Sequence, residues 1–111
     1  MDYHENKDCI ESCLKCAALC NHCAASCLKE RDLHMMARCI QLDMECAALC
    51  YAAAQLMSLG SASAMDVCRS CVQLCRQCAD ECERHDNDHC RECARACRSG
   101  AEECMEMLEV Y

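Results

Sequence analysis

Within each of four stretches of this chain, neighbouring cysteines are separated by three, four or seven residues, and no other step occurs. The first stretch holds Cys9, Cys13, Cys16, Cys20, Cys23 and Cys27, and the second holds Cys39, Cys46 and Cys50. The third holds Cys68, Cys71, Cys75, Cys78 and Cys82, and the fourth holds Cys90, Cys93, Cys97 and Cys104. An α-helix turns once every ~3.6 residues, so positions three and four apart share one face. Each stretch therefore reads as a helix carrying a straight row of sulfurs. Four such rows turned toward one axis make a thiol-lined tube.

Composition supports helices throughout. The 111 residues contain no Pro, two Gly and 16 Ala, which removes the main helix breakers and supplies the best helix former. With no Trp, no Phe and three Tyr, large side chains contribute little to a core, and Cys and Ala must fill it instead. A chain of 12.4 kDa is expected to form one domain, residues 1–111. The formal charge of −8 argues against a nucleic-acid partner, because phosphate binding needs a basic face. The polar segment from Met1 to Cys9 contains no apolar run, so neither a secretory signal nor a membrane span is expected and the chain reads as cytoplasmic. Cysteine richness in that reducing compartment points to metal rather than to disulfides. Bridging successive cysteines on one helix face would also violate disulfide geometry.

Boundary signals divide the chain into four helices. Asp2 with Glu5 caps a first helix over about residues 3 to 29, and Asp32 caps a second that runs to Leu59, where Gly60 stops it. Ser63 with Asp66 forms a capping-box pattern for a third helix ending near Arg84, and the polar run Asp86, Asn87, Asp88 starts the fourth. Short connections make neighbouring helices antiparallel. The expected fold class is all-α: an up-down-up-down antiparallel four-helix bundle with a cysteine-lined core.

The two seven-residue gaps place Asp43 and Gly100 on the stripes. The same step extends the rows to Met36, Ala53, Met57, His85, His89 and Met107. Gly100 inside a helix costs about 1 kcal/mol relative to Ala, which predicts close packing or a local bend there. The end that holds the first and third turns gathers His34, Met35, Met36, His85 and His89 and is the candidate metal mouth. For Met36, His85 and His89, a gate ligand and an ordinary packed or surface side chain are both open readings. His34, Met35 and the off-stripe His22 read as surface residues. Met57, Met65, Met105 and Met107 collect at the opposite end as an apolar plug. Asp43 reads as a ligand or partner inside the tube, with a surface position as the alternative.

A core built from Cys alone would be loosely filled and would lack the aliphatic bulk that drives folding, so a guest is expected to fill it. Thiolate and thioether select Cu(I), Zn(II) or iron–sulfur clusters. Structural zinc sites gather four ligands on turns, whereas continuous helical rows suit the two- or three-sulfur coordination of Cu(I). One monovalent ion per thiolate leaves a buried column almost neutral, as desolvation demands. Five C-x-x-C pairs, such as Cys13 with Cys16 and Cys90 with Cys93, lie inside helices, with no strand pattern to build a thioredoxin-like site. No nucleophile, base and orienter are spaced as a triad, so an enzyme is not expected.

The run CIESCLKCAALCNHCAASC from Cys9 to Cys27, CIQLDMEC from Cys39 to Cys46 and HDNDHCRECARAC from His85 to Cys97 resemble the bacterial cysteine-rich copper storage proteins, in their cytosolic branch. The resemblance spans nearly the whole chain. It implies a four-helix bundle that binds many Cu(I) ions in its core and assembles as a homo-oligomer, a tetramer. It also implies a mouth at one end bearing Met or His, through which a copper chaperone or chelator exchanges metal. Carried over by position, all eighteen cysteines match core ligand places, joined by Met36, Asp43, His85 and His89. A zinc-buffering or iron–sulfur-binding bundle is the alternative.

Overall fold

The computed structural model describes residues 2–110, so Met1 and Tyr111, the ends of the expected unit, lie outside the described residues. Helix α1 runs Lys7–Cys27, α2 Leu33–Leu59, α3 Ala64–Cys82 and α4 Asp88–Val110, and no strand occurs among the described residues. Helix α1 packs beside α2 and α4, and α3 packs beside the same two helices, while the backbones of the diagonal pairs stay apart and only their side chains meet on the axis. The expected up-down-up-down bundle is therefore the observed one. Its principal extents are 45 × 19 × 18 Å. A helix with its side chains is about 10 Å across, so this cross-section leaves room for two helices each way and nothing bulky between them.

Small core residues permit that approach. Ala17, Ala47, Ala53, Ala79, Ala94 and Ala101 are buried beside the sulfur rows, and they bring neighbouring backbones close without long side chains to interdigitate. Larger apolar groups are few: Ile10, Met36, Leu42, Met57, Val72 and Met107 are buried. Met57 has the greatest volume of the fully buried side chains.

The caps of α2 fall where the sequence places them. Asp32 accepts a hydrogen bond from the Met35 amide at 3.2 Å. Gly60 adopts the left-handed conformation, with φ 66° and ψ 33°, that an L side chain avoids. Ser61 N–H bonds to Leu56 C=O at 2.9 Å and Gly60 N–H to Met57 C=O at 3.1 Å, which closes the helix in a Schellman motif.

Other ends differ from expectation. Asp2 does accept from the Glu5 amide, at 3.1 Å, but this caps only an isolated turn. Asn6 then leaves helical geometry at φ −117° and ψ 21°, with its side chain bonded back to the Asp2 carbonyl, and α1 begins at Lys7 rather than near residue 3. The Ser63–Asp66 capping box does not form. Ser63 sits at φ −85° and ψ −7°, which is not the extended geometry a capping side chain needs, and Asp66 pairs with Arg69 at 2.8 Å. Helices α1 and α3 end at Cys27 and Cys82, about two residues earlier than expected. Amides of Lys29, Glu30, Arg84 and His85 turn back to carbonyls three residues earlier and tighten both ends.

Candidate metal centre

All eighteen cysteines are buried and none is bridged. Their sulfurs line the axis because each helix turns its cysteine row, flanked by alanine, toward the other three helices. Starting at the end that holds residues 28–32 and 83–87, Cys27 Sγ lies 3.4 Å from His89 Nε2, 3.8 Å from Cys23 Sγ and 3.9 Å from Cys90 Sγ. One layer deeper, Cys39 meets Cys82 at 3.6 Å. Cys20 stands 3.7 Å from both Cys93 and Cys97, and Cys97 is 3.7 Å from Cys16. Cys46 and Cys75 approach to 3.6 Å, and Cys50 and Cys71 to 3.5 Å. At the far end Cys104 joins Cys9 at 3.4 Å and Cys13 at 3.5 Å. Cys68 lies beside Cys104.

These separations bear on coordination. A disulfide needs about 2.05 Å, so 3.4 to 4.0 Å is contact between free thiols. Soft metals bond thiolate sulfur at about 2.3 Å, so three sulfurs sharing an ion stand about 4.0 Å apart and a linear pair about 4.6 Å. The thiols thus accept shared ions after shifts of about an ångström or less, within reach of side-chain rotation. Sets such as Cys16, Cys46, Cys50 and Cys75, or Cys23, Cys27, Cys39 and Cys90, bring four sulfurs within 4.8 Å of one another.

Asp43 is fully buried within the column, which excludes the surface position held open for it. Its Oδ1 accepts from Cys78 at 3.2 Å, Cys93 at 3.4 Å and Cys82 at 3.7 Å, and Oδ2 accepts from Cys39 at 3.9 Å. Burial, reinforced by the neighbouring Cys93 charge, pushes its carboxyl up to about 8. The same desolvation raises the thiols beneath His89: Cys90 goes up to about 12, with Cys39 adding like charge, and Cys27 is pushed up for the same two reasons. Cys9 shifts the opposite way, because thiol hydrogen bonds from Cys104 and Cys13 favour its thiolate.

Met36 is buried in the first turn of α2, while His85 and His89 are half-buried at the same end of the bundle, His89 against Cys27 and His85 close enough to act on Cys39. His34 and Met35 face outward, as does His22. Gly100 lies on the stripe opposite Cys16 and Cys75. A Cβ built there would stand 3.6 Å from Cys16 Cβ and 3.8 Å from both sulfurs, which is ordinary contact. Helix α4 continues through this position, and steric exclusion of a side chain does not explain the glycine.

Glu81 was not legible as part of this end. It is 8% exposed, its Oε2 lies 2.9 Å from His85 Nε2, and its Oε1 is flanked by Arg84 at 3.7 Å and Arg38 at 3.9 Å. The available signal was its position four residues before His85, one turn away on the same helix. At the same end of the bundle Glu30 Oε1 accepts a hydrogen bond from Asn87 Nδ2 at 2.9 Å.

Residues 2–109 match the family model described as copper storage protein. This chain belongs to that family. It is 43% identical over 81 residues to an uncharacterized cysteine-rich protein, YhjQ, of Bacillus subtilis, a match covering 73% of this chain and 75% of the relative. Among solved structures, the Cu(I)-bound copper storage protein BsCsp3 superposes with a TM-score of 0.88 at 42% identity, covering 92% of this chain and 96% of the other. A cytosolic copper storage protein from Streptomyces lividans, loaded with five coppers, superposes with a TM-score of 0.92 at 39% identity, covering 97% and 95%. No helix of the described residues is long and apolar enough to cross a membrane.

Proposed function

We propose that this chain stores Cu(I) along the axis of its bundle, in the cytoplasm, by stoichiometric capacity rather than by turning over a substrate. The ligands are the thiolates of all eighteen cysteines, with Asp43 inside the column and Met36, His85 and His89 at one end. The observation that carries this reading is a continuous core of unbridged thiols, in contact at 3.4 to 4.0 Å, where a globular protein would bury aliphatic groups.

Charge selects the ion. Eighteen buried thiolates are untenable without cations, and a similar number of monovalent ions cancels them, whereas each Zn(II) held by four thiolates leaves two negative charges in a desolvated site. The protons displaced on loading leave with the solvent. The five coppers loaded into the Streptomyces relative support multiple ions per chain. Exposed Leu14 on α1, with Met44 and Tyr51 seven residues apart on α2, offers an apolar face for association with further copies of the chain, a tetramer in this reading. Metal passes to and from a copper chaperone or a small chelator by ligand exchange.

The test is a titration of the reduced apoprotein with Cu(I) and Zn(II), each against a competing chelator, with the bound ions counted by native mass spectrometry. Copper uptake approaching the number of thiols supports storage. Saturation at about two or three equivalents, or preferential filling of the four-thiol sets by Zn(II), supports the zinc-buffering alternative instead. Intense visible absorption from the purified protein would point to an iron–sulfur cluster.

A further inference from the structure

Seventeen of the eighteen cysteines have no solvent exposure at all, and the exception is Cys9, at 3%. Cys9 stands at the end of the column remote from His85 and His89. It lines an open groove of about 410 Å³ between the start of α1 and the end of α4. Met107, 7% exposed and three residues after Cys104 on the same helix face, lines the same groove, as does His4, whose ring stacks edge-on against Tyr3 at 5.3 Å. The lining carries Glu5, Asp8, Glu103 and Glu106 against Lys7, so the approach is net negative and attracts cations. Behind Cys9 the column is continuous: its sulfur is 3.4 Å from that of Cys104, which is 3.5 Å from that of Cys13, and Cys13 interacts in turn with Cys50 and Cys71.

We propose that this groove is a second metal-exchange port, in which Cys9, with Met107 and His4, passes soft monovalent ions between a thiolate-bearing carrier and the far end of the thiol column. The proposal rests on the storage reading and deepens it. From Cys27 to Cys9 the row spans 18 residues of helix, about 27 Å at about 1.5 Å per residue. Ions admitted only beside His89 would have to pass every filled site in single file to reach or leave Cys104. A thiol in contact with solvent at the other end removes that constraint. The donor set fits the ion, because thiolate and thioether are soft ligands that the hard divalent cations avoid. The exchange is balanced without redox chemistry: a bond from the Cys9 thiolate Sγ to the ion forms, the carrier's bond to the same ion breaks, the carrier leaves as its thiolate, and no proton need pass between the two sulfurs.

Two measurements test this. In the reduced apoprotein, a brief pulse of N-ethylmaleimide followed by peptide mass mapping is expected to modify Cys9 before the other seventeen cysteines. Modification of Cys27 and Cys90 with Cys9 spared would overturn the port. In the copper-loaded protein, withdrawal of Cu(I) by bathocuproine disulfonate is expected to show two kinetic phases. The double change His85→Ala, His89→Ala alters one phase, and Cys9→Ser removes the other while lowering capacity by only about one ion. A single phase that responds to the histidine changes and ignores Cys9→Ser sinks the port and leaves storage standing. Failure of the wild-type chain to load more than a few ions would sink the storage reading itself. The labelling needs no variant, so a folding defect in Cys9→Ser leaves that arm decisive.

Discussion

Replacing Asp43 by Asn should make the apoprotein more stable, by an amount that grows with pH. The folded-state carboxyl is raised from 3.8 to about 8, chiefly by burial. An unfolded chain ionises this group above its ordinary value, while the folded chain keeps it protonated until the higher one. Between those limits folding takes up a proton, so the wild type loses about 1.4 kcal/mol of stability for each unit of rising pH. Asn has nearly the same shape, accepts from the Cys78 and Cys93 thiols in the same way and does not titrate. The variant's advantage should therefore widen by about 3 kcal/mol from about pH 5 to about pH 7 and level off above about pH 8. Urea unfolding of both proteins, anaerobic and fully reduced, followed by far-UV circular dichroism, measures it. Parallel stability curves across that range would refute the claim that a neutral carboxyl is buried among the thiols.

Three further outcomes follow from the core and the mouth. Met57→Ala should lower apoprotein stability by about 2 to 5 kcal/mol in the same unfolding assay, because it empties space around a side chain with no exposure. Gly100→Ala should raise stability by up to about 1 kcal/mol through helix propensity, since its methyl meets Cys16 and Cys75 only at ordinary contact distance; a loss would mean the site is tighter than its distances indicate. Glu81→Gln should slow Cu(I) uptake in stopped-flow measurements more than it lowers capacity, because the 2.9 Å contact that orients His85 loses its charge.

The parts of this structure that a sequence can display periodically were the legible ones. The three- and four-residue cysteine steps identified four helices and the face each turns inward, and they placed Asp43 on that face in a gap between Cys39 and Cys46. Local chemistry set Asp32 and Gly60 at the two ends of α2. Capping failed elsewhere because it depends on backbone geometry that residue identity does not fix: Asn6 bends the chain ahead of α1, and Asp66 is taken by Arg69. Contacts between helices were also out of reach. Nothing in the α1 and α4 sequences announces that Cys9 and Met107 share a groove, or that Glu30 bridges to Asn87.

The central claim is that the sulfurs of all four helices complete their coordination with copper on a common axis. A crystal of the Cu(I)-loaded protein, with anomalous scattering recorded on both sides of the copper edge, tests this most directly. The account predicts a string of copper peaks running along the 45 Å axis of the bundle, each bonded to two or three cysteine sulfurs from facing helices. Copper confined to the outer surface, or an empty core whose cysteines have joined as cystines, would contradict it.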